Sequence, residues 1–152
     1  MIIRNYASDD CAEIIKLFYD TVNAVNSADY SSEQIRVWTD SAENYDKWKN
    51  SLAEHYTLVA ESDGIITGFG DIDAGGYLDR LFIHHDYQRQ GIATVLCDML
   101  EKSVESGIIT THASITARGF FEKRNYTVIR EQTAVRKGIA LKNYVMEKHI
   151  IV

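Results

Sequence analysis

The spacing of hydrophobic positions changes near residue 55 of this 152-residue chain. Before that point apolar residues recur three and four apart, as on a helix with one buried face. After it they alternate, as on a half-buried strand. Ile2 to Asn5 predicts a short opening strand, and Ser8-Asp9-Asp10 caps a helix with Cys11, Ile14, Ile15, Phe18 and Val22 as its apolar positions. After a polar break, Ser31-Ser32-Glu33-Gln34 reads as a capping box with Ile35 and Trp38 behind it. A cap at Ser41 predicts a further helix with Tyr45, Trp48 and Leu52 on one face.

From His55 the alternation predicts strands at Tyr56–Glu61, Ile65–Asp71 and Tyr77–Ile83, joined by turns at Ser62-Asp63-Gly64 and Asp73-Ala74-Gly75-Gly76. A helix from about Gly91 to Ser106 follows, with Ile92, Val95, Leu96, Met99, Leu100 and Val104 on one face. A strand at Ile108–Ala113, a short helix near Thr116–Arg124 and a hairpin from Tyr126 to His149, turning at Arg136-Lys137-Gly138, complete the pattern. No repeat or linker divides the chain, so one mixed α/β (α+β) domain over residues 1–152 is expected.

Composition narrows the function. Hydrophobic residues make up 45% of the chain, enough for a core without a disulfide or metal staple. Cys11 and Cys97 form no CxxC pair, which suits a reducing cytoplasmic setting. No signal-like or membrane-length apolar run is present, so no membrane partner is expected. The net charge of −6 argues against a nucleic-acid partner and mildly favours a cationic amine or basic peptide. A homodimer through an edge strand is left open.

The chemistry concentrates between Leu81 and Thr94. An apolar strand, Leu81-Phe82-Ile83, gives way to the polar loop His84-His85-Asp86-Tyr87-Gln88-Arg89-Gln90, and a helix begins at the small residues Gly91 and Ala93. Unpaired amides and the positive end of the dipole make such a helix start an anion site, and small side chains let a phosphate approach closely. Arg89 and Arg80 are near enough in sequence to add charge. Spacing alone is equally compatible with a tight turn that binds nothing. No Walker-type phosphate loop occurs, and Gly68-Phe69-Gly70 lacks the third glycine of a dinucleotide fingerprint.

Gln88-Arg89-Gln90-Gly91-Ile92-Ala93 resembles the Gln/Arg-x-x-Gly-x-Gly/Ala motif of the GNAT acyl-CoA-dependent N-acetyltransferases. Ser114-Ile115-Thr116-Ala117-Arg118-Gly119-Phe120-Phe121, continuing to Asn125-Tyr126, is similar to that family's second signature. The ending Asn143-Tyr144-Val145-Met146 and the segment around Tyr30 most resemble small bacterial YafP-type members. The resemblance implies the GNAT fold, a central, mostly antiparallel twisted sheet flanked by helices. It also implies acetyl transfer from acetyl-CoA, as cosubstrate and without a metal, to a small-molecule or peptide amine.

By the same resemblance, the backbone of Gln88, Arg89, Gln90, Gly91, Ile92, Ala93 and Thr94 holds the pyrophosphate. Leu81, Phe82 and Ile83 pair with the pantetheine arm like an added strand, and one amide near Phe82 or Ile83 faces the thioester oxygen. Ser114 stands where the family often has Asn, and Phe121 where many members have the tyrosine that protonates the leaving thiolate. Tyr144 or water is the expected substitute. A thiol near pKa 8.5 lies about 2 kcal/mol from its anion at pH 7, whereas deprotonating an amine near 10.4 costs about 4–5 kcal/mol. The base therefore matters more than the acid.

Asp79 is the candidate base or amine anchor, expected on the same strand face as Leu81 and Ile83. A salt-bridged structural carboxylate is the competing reading. Tyr30 and Trp38 are candidate substrate-binding walls, with core packing as their alternative. Adjacent His84 and His85 should point to opposite sides, which disfavours a metal site with Asp86. His55 and His112 read as isolated strand ends, and Cys97 as core. Phe121 also supports another class of function, a non-catalytic acyl-CoA-binding or sensing module. A purely structural interaction domain is a third.

Overall fold

The computed structural model describes residues 1–105 and 107–150. Its strands are β1 (Ile2–Asn5), β2 (Tyr56–Ser62), β3 (Ile65–Ile72), β4 (Tyr77–Ile83), β5 (Gly107–Ser114), β6 (Thr127–Arg136) and β7 (Ile139–Ile150). They form one sheet in the order β1-β2-β3-β4-β5-β7-β6, antiparallel throughout except between β4 and β5. The helices are α1 (Cys11–Ala24), α2 (Ser32–Thr39), α3 (Tyr45–Glu54), α4 (Ile92–Lys102) and α5 (Arg118–Lys123). This is the mixed architecture that the alternating and helical stretches predict. Among the described residues, no helix is long and apolar enough to cross a membrane.

Two cores lie against opposite faces of the sheet. One contains Leu96, Cys97 and Leu100 of α4 with Leu78, Ile83, Ile109, Phe121 and Met146. The other contains Cys11, Ile14, Phe18 and Val22 of α1 with Ile35, Trp48, Leu52, Phe69 and Leu141. The free thiols of Cys11 and Cys97 thus belong to different cores. Gly68 and Gly70 of β3 explain the glycine pair that fits no dinucleotide motif. A Cβ at Gly68 would lie 2.8 Å from Ile83 Cδ1 and 3.1 Å from Ile92 Cγ2, and one at Gly70 would lie 3.0 Å from Leu100 Cδ1. Glycine lets α4 lie close on the sheet there.

The capping box at Ser31 forms as predicted: Ser31 Oγ accepts from the Gln34 amide at 3.1 Å, and Gln34 Oε1 accepts from the Ser31 amide at 2.9 Å. Ser41 does not cap α3. Its hydroxyl donates back to the Trp38 carbonyl, closing the preceding turn, and Asn44 caps α3 by accepting from the Lys47 amide. The helix α4 stops at Lys102, before the expected end at Ser106, which lies outside the described residues. The Ser103 hydroxyl and amide both donate to the Leu100 carbonyl, tightening the last turn. Val95 is half-buried and Met99 exposed, and Cys97 takes the buried position instead.

Candidate active site

Strands β4 and β5 pair only at Tyr77 with Thr110 and Leu78 with Thr111. The Thr111 hydroxyl donates to the Leu78 carbonyl at 2.8 Å and closes this short ladder. Beyond it the strands diverge, leaving the β5-facing edge of β4 from Asp79 to Ile83 without a strand partner. A cavity of about 740 Å³ opens there, lined from both faces of the sheet.

At one mouth stands the start of α4. Gly91 is its N-cap residue at φ 82°, and a Cβ there would meet nothing within 4 Å. Ile92, Ala93 and Thr94 form the first turn, where amides have no helical acceptor, and all three line the cavity. Arg89, itself at φ 61°, lines it too. Gln90 is exposed but does not line the cavity. The Gln88 side chain is already committed, donating to the Ile83 carbonyl at 2.6 Å, and Thr21 Oγ1 donates to that same carbonyl at 3.3 Å. Leu81 and Phe82 therefore retain the strand-like pairing role better than the Ile83 carbonyl does. These amides, the open glycine and the unpaired strand edge fit a diphosphate with an extended amide-bearing arm.

Ser114 Oγ accepts from the Ala117 amide at 3.0 Å and from Asn26 Nδ2 at 3.5 Å, so its proton is what it can still offer a ligand. Phe121 is buried in the cavity wall, against Phe120 and Tyr126, and has no proton to give. Tyr144 does not replace it. The alternation of β7 turns Tyr144 toward the α4 core, where the Arg118 guanidinium lies 4.5 Å from its ring centroid, and it does not line the cavity. Asn125, at φ 72°, takes the left-handed conformation that ends α5 and turns the chain toward β6.

The other mouth is built from α1, α2, α3 and the β6–β7 hairpin. Asp79 sits here, but not as alternation predicts. Asp71 of β3 faces Arg80 and Ile72 faces Leu78, so Asp79 is the extra residue of a bulge. The bulge turns its carboxylate away from the Leu81 and Ile83 side, to 3.9 Å from Arg80 Nη2 and 4.0 Å from His55 Nδ1. Burial, then the nearby Asp71 carboxylate, raise the Asp79 pKa above the usual value, against the pull of Arg80 and His55. A raised carboxylate pKa brings its basicity closer to that of an amine, which suits a base.

Arg80 is not a phosphate ligand. It crosses to the α3 side, where Nη1 donates to the wholly buried Asp71 at 2.6 Å, Nη2 donates to Ser51 at 2.8 Å, and the guanidinium lies 4.5 Å from the Trp48 ring centroid. His55 is not isolated either: Nδ1 lies 3.0 Å from Asp71, which raises the imidazole pKa. His112 lines the cavity beside Tyr77 and Gln132, and burial followed by Arg130 lowers its pKa, favouring the neutral ring. Its period-two position on β5 was legible, but its neighbours come from β4 and β6.

Tyr30 and Trp38 both line this mouth, with ring centroids 5.3 Å apart. The Tyr30 hydroxyl donates to the Lys142 carbonyl at 2.6 Å and accepts from the Ile115 amide at 3.0 Å, so it offers a wall and a clasp, not a free polar group. His84 and His85 lie on one side after all, rings stacked 4.3 Å apart, because a turn of 3-10 helix replaces extended chain. His84 Nδ1 accepts from the Asp86 amide and is spent on capping that turn. Burial pushes the Cys97 thiol up to about 12, consistent with a packing role.

A model of the acetyltransferase (GNAT) domain matches residues 26–148. The chain is 33% identical over 145 residues to the N-acetyltransferase YafP of Escherichia coli strain K12, spanning 95% of this chain and 93% of that protein. The crystal structure of a GCN5-related N-acetyltransferase from Rhodopseudomonas palustris superposes with a TM-score of 0.94 at 31% identity, covering 98% of this chain and 95% of the other. The PaiA N-acetyltransferase of Thermoplasma acidophilum, in complex with coenzyme A, gives 0.74 at 19% identity over 98% of each chain, a likeness of fold.

Proposed function

Because the chain belongs to the GNAT acetyltransferase family, we propose that it transfers an acetyl group from acetyl-CoA to a primary amine of a small molecule or peptide by direct attack in a ternary complex. The observation that carries this reading is the cleft between β4 and β5, which has a helix start at one mouth and a desolvated carboxylate at the other. Acetyl-CoA supplies the activated thioester carbonyl. The amides of Ile92 to Thr94, with Arg89, hold its phosphates. The free edge at Leu81 and Phe82 aligns the pantetheine arm, and an amide near Phe82 or Ile83 stabilises the oxyanion.

Asp79 takes the proton from the attacking ammonium. The nitrogen–carbon bond then forms, the carbon–sulfur bond breaks, and the second proton that the nitrogen sheds passes through water to the thiolate, since neither Phe121 nor Tyr144 is placed to protonate it. At about 2 kcal/mol, that last proton adds little to the barrier.

Phe121 favours a second reading, an acyl-CoA-binding module without turnover. Assaying release of free CoA thiol across polyamines, aminoglycosides, amino acids and lysine peptides separates the two. Sustained release with any amine excludes the binding module. Acetyl-CoA that raises the melting temperature but yields no thiol with any amine overturns the transferase.

A further inference from the structure

The net charge of −6 points toward a cationic acceptor, but the acceptor mouth carries the opposite local charge. Lys47 on α3, Arg80 on β4 and Arg136 on β6 line it, and among the described residues Asp79 is the one carboxylate that lines the cavity. Arg136 shares a strand face with Ala134 and Gln132, opposite Leu141 and Asn143, and Leu141 packs into the α1 core, so Arg136 is on the acceptor side of the sheet. Lys142 faces the other way, to Glu131 at 3.3 Å, and is not counted. The coenzyme cannot account for these cations, because its proposed phosphate loop at Arg89 to Thr94 lies at the opposite mouth.

The three cations differ in what they are free to do. Arg80 is already held by Asp71 and Ser51 and lies over the Trp48 ring, its charge balanced at the floor by the Asp71 carboxylate. Lys47 and Arg136 are exposed at the rim and make no salt bridge among the described residues. Asp40, just ahead of α3, is engaged by Lys137 at 2.5 Å, which ties the hairpin tip to that segment. A simple cationic amine would have to pass two cations that have no salt-bridge partner among the described residues before reaching Asp79. An amine that also carries an acidic group would be drawn in by the rim and left with its nitrogen toward Asp79.

Resting on the acetyl-transfer reading above, we infer that the acceptor is an amine bearing an anionic group, carboxylate or phosphate, held by Lys47 and Arg136 at the rim with its nitrogen toward Asp79 at the floor. Trp38 and Trp48 supply an apolar wall for the part between the two charges.

The test compares matched acceptors with acetyl-CoA, following thiol release. Free amino acids are set against their amides, and phosphoethanolamine against ethanolamine, so that the two arms separate carboxylate from phosphate. In at least one arm the anionic member should have a kcat/KM about tenfold or more above its neutral partner. That preference should weaken with added salt. In a Lys47→Ala/Arg136→Ala double variant it should fall several-fold toward one, while acetyl-CoA still raises the melting temperature to show a folded protein. Turnover that favours neutral or polycationic amines, or a preference unchanged in the double variant, overturns the inference and leaves acetyl transfer standing. Bound acetyl-CoA with no thiol release from any amine takes down both.

Discussion

The two mouths of the cleft are made from different materials. The mouth we propose for the coenzyme comes from one continuous stretch, Leu81 to Thr94, and it offers backbone amides, a left-handed glycine and a free strand edge. The acceptor mouth gathers side chains from α1, α2, α3, β4, β5, β6 and β7. Main-chain recognition tolerates many side chains but depends on local geometry. Side-chain recognition depends on residue type and on long-range placement. A molecule built this way can keep one ligand fixed while the other changes.

The sharpest way to break that contrast is at Gly91. Glu in its place would put negative charge against the diphosphate, and we expect coenzyme affinity to fall at least about 100-fold, seen as loss of the acetyl-CoA-dependent melting shift. The left-handed backbone should cost about 1–2 kcal/mol, and the open space around Gly91 leaves the fold intact. Unchanged coenzyme affinity would remove the helix start from the site.

Asp79→Asn addresses the other mouth. It should lower kcat about 100-fold or more while the melting shift with acetyl-CoA persists. A wild-type rate in the variant would take Asp79 out of the chemistry. In the native protein kcat/KM should decline as pH falls through the raised Asp79 pKa, since the base must be ionised. A flat acid limb would contradict that role.

A third prediction concerns stability, where the two sides again differ. On the α4 side, Glu101 is 8% exposed and accepts from Arg124, Lys148 and Tyr126. Burial alone would raise its pKa, but those three donors outweigh it and the net shift is downward. Its stabilisation is therefore present above the unfolded value near 4.5 and is lost as pH falls through the lower folded value. Glu101→Ala should destabilise by about 3 kcal/mol by stranding Lys148 and the Tyr126 hydroxyl and leaving Arg124 with Asp98 alone, measurable by urea unfolding at pH 7. A loss below about 1 kcal/mol would mean that Asp98 and water satisfy what Glu101 leaves behind.

The smallest effect is on the acceptor side. The Asp71 hydrogen bond holds the His55 pKa above 6.5, so this contribution is complete below that pH and fades as pH rises through the folded value. His55→Asn should flatten the alkaline decline in stability by about 1 kcal/mol without touching the acid limb. An identical pH–stability curve in the variant would show that the pair contributes nothing.

Legibility in the sequence follows the same division. The strand from Tyr77 to Ile83, the helix start at Gly91 and the Lys137-Gly138 turn rest on local spacing and chemistry, and each falls where the pattern places it. The bulge at Asp79 is invisible to a period-two reading, because it arises from registry with β3. Tyr144 fails as an acid for a related reason: alternation along β7 fixes its side of the sheet, but only the neighbouring strands reveal which side faces the cleft. Arg80 lies near the phosphate loop in sequence yet is claimed by Asp71 and Trp48 across the sheet. The charge of the acceptor mouth was hidden for the same reason, since net charge sums residues that never meet.

Joined side by side at just Tyr77–Thr110 and Leu78–Thr111, strands β1–β4 and the trio β5–β7–β6 resemble two panels on a narrow weld. Amide hydrogens along the gap-facing margin of β5 should accordingly exchange with solvent sooner than those buttoned between β5 and β7. Whatever lodges lengthwise in that gap becomes a rivet, making one cooperative slab of two.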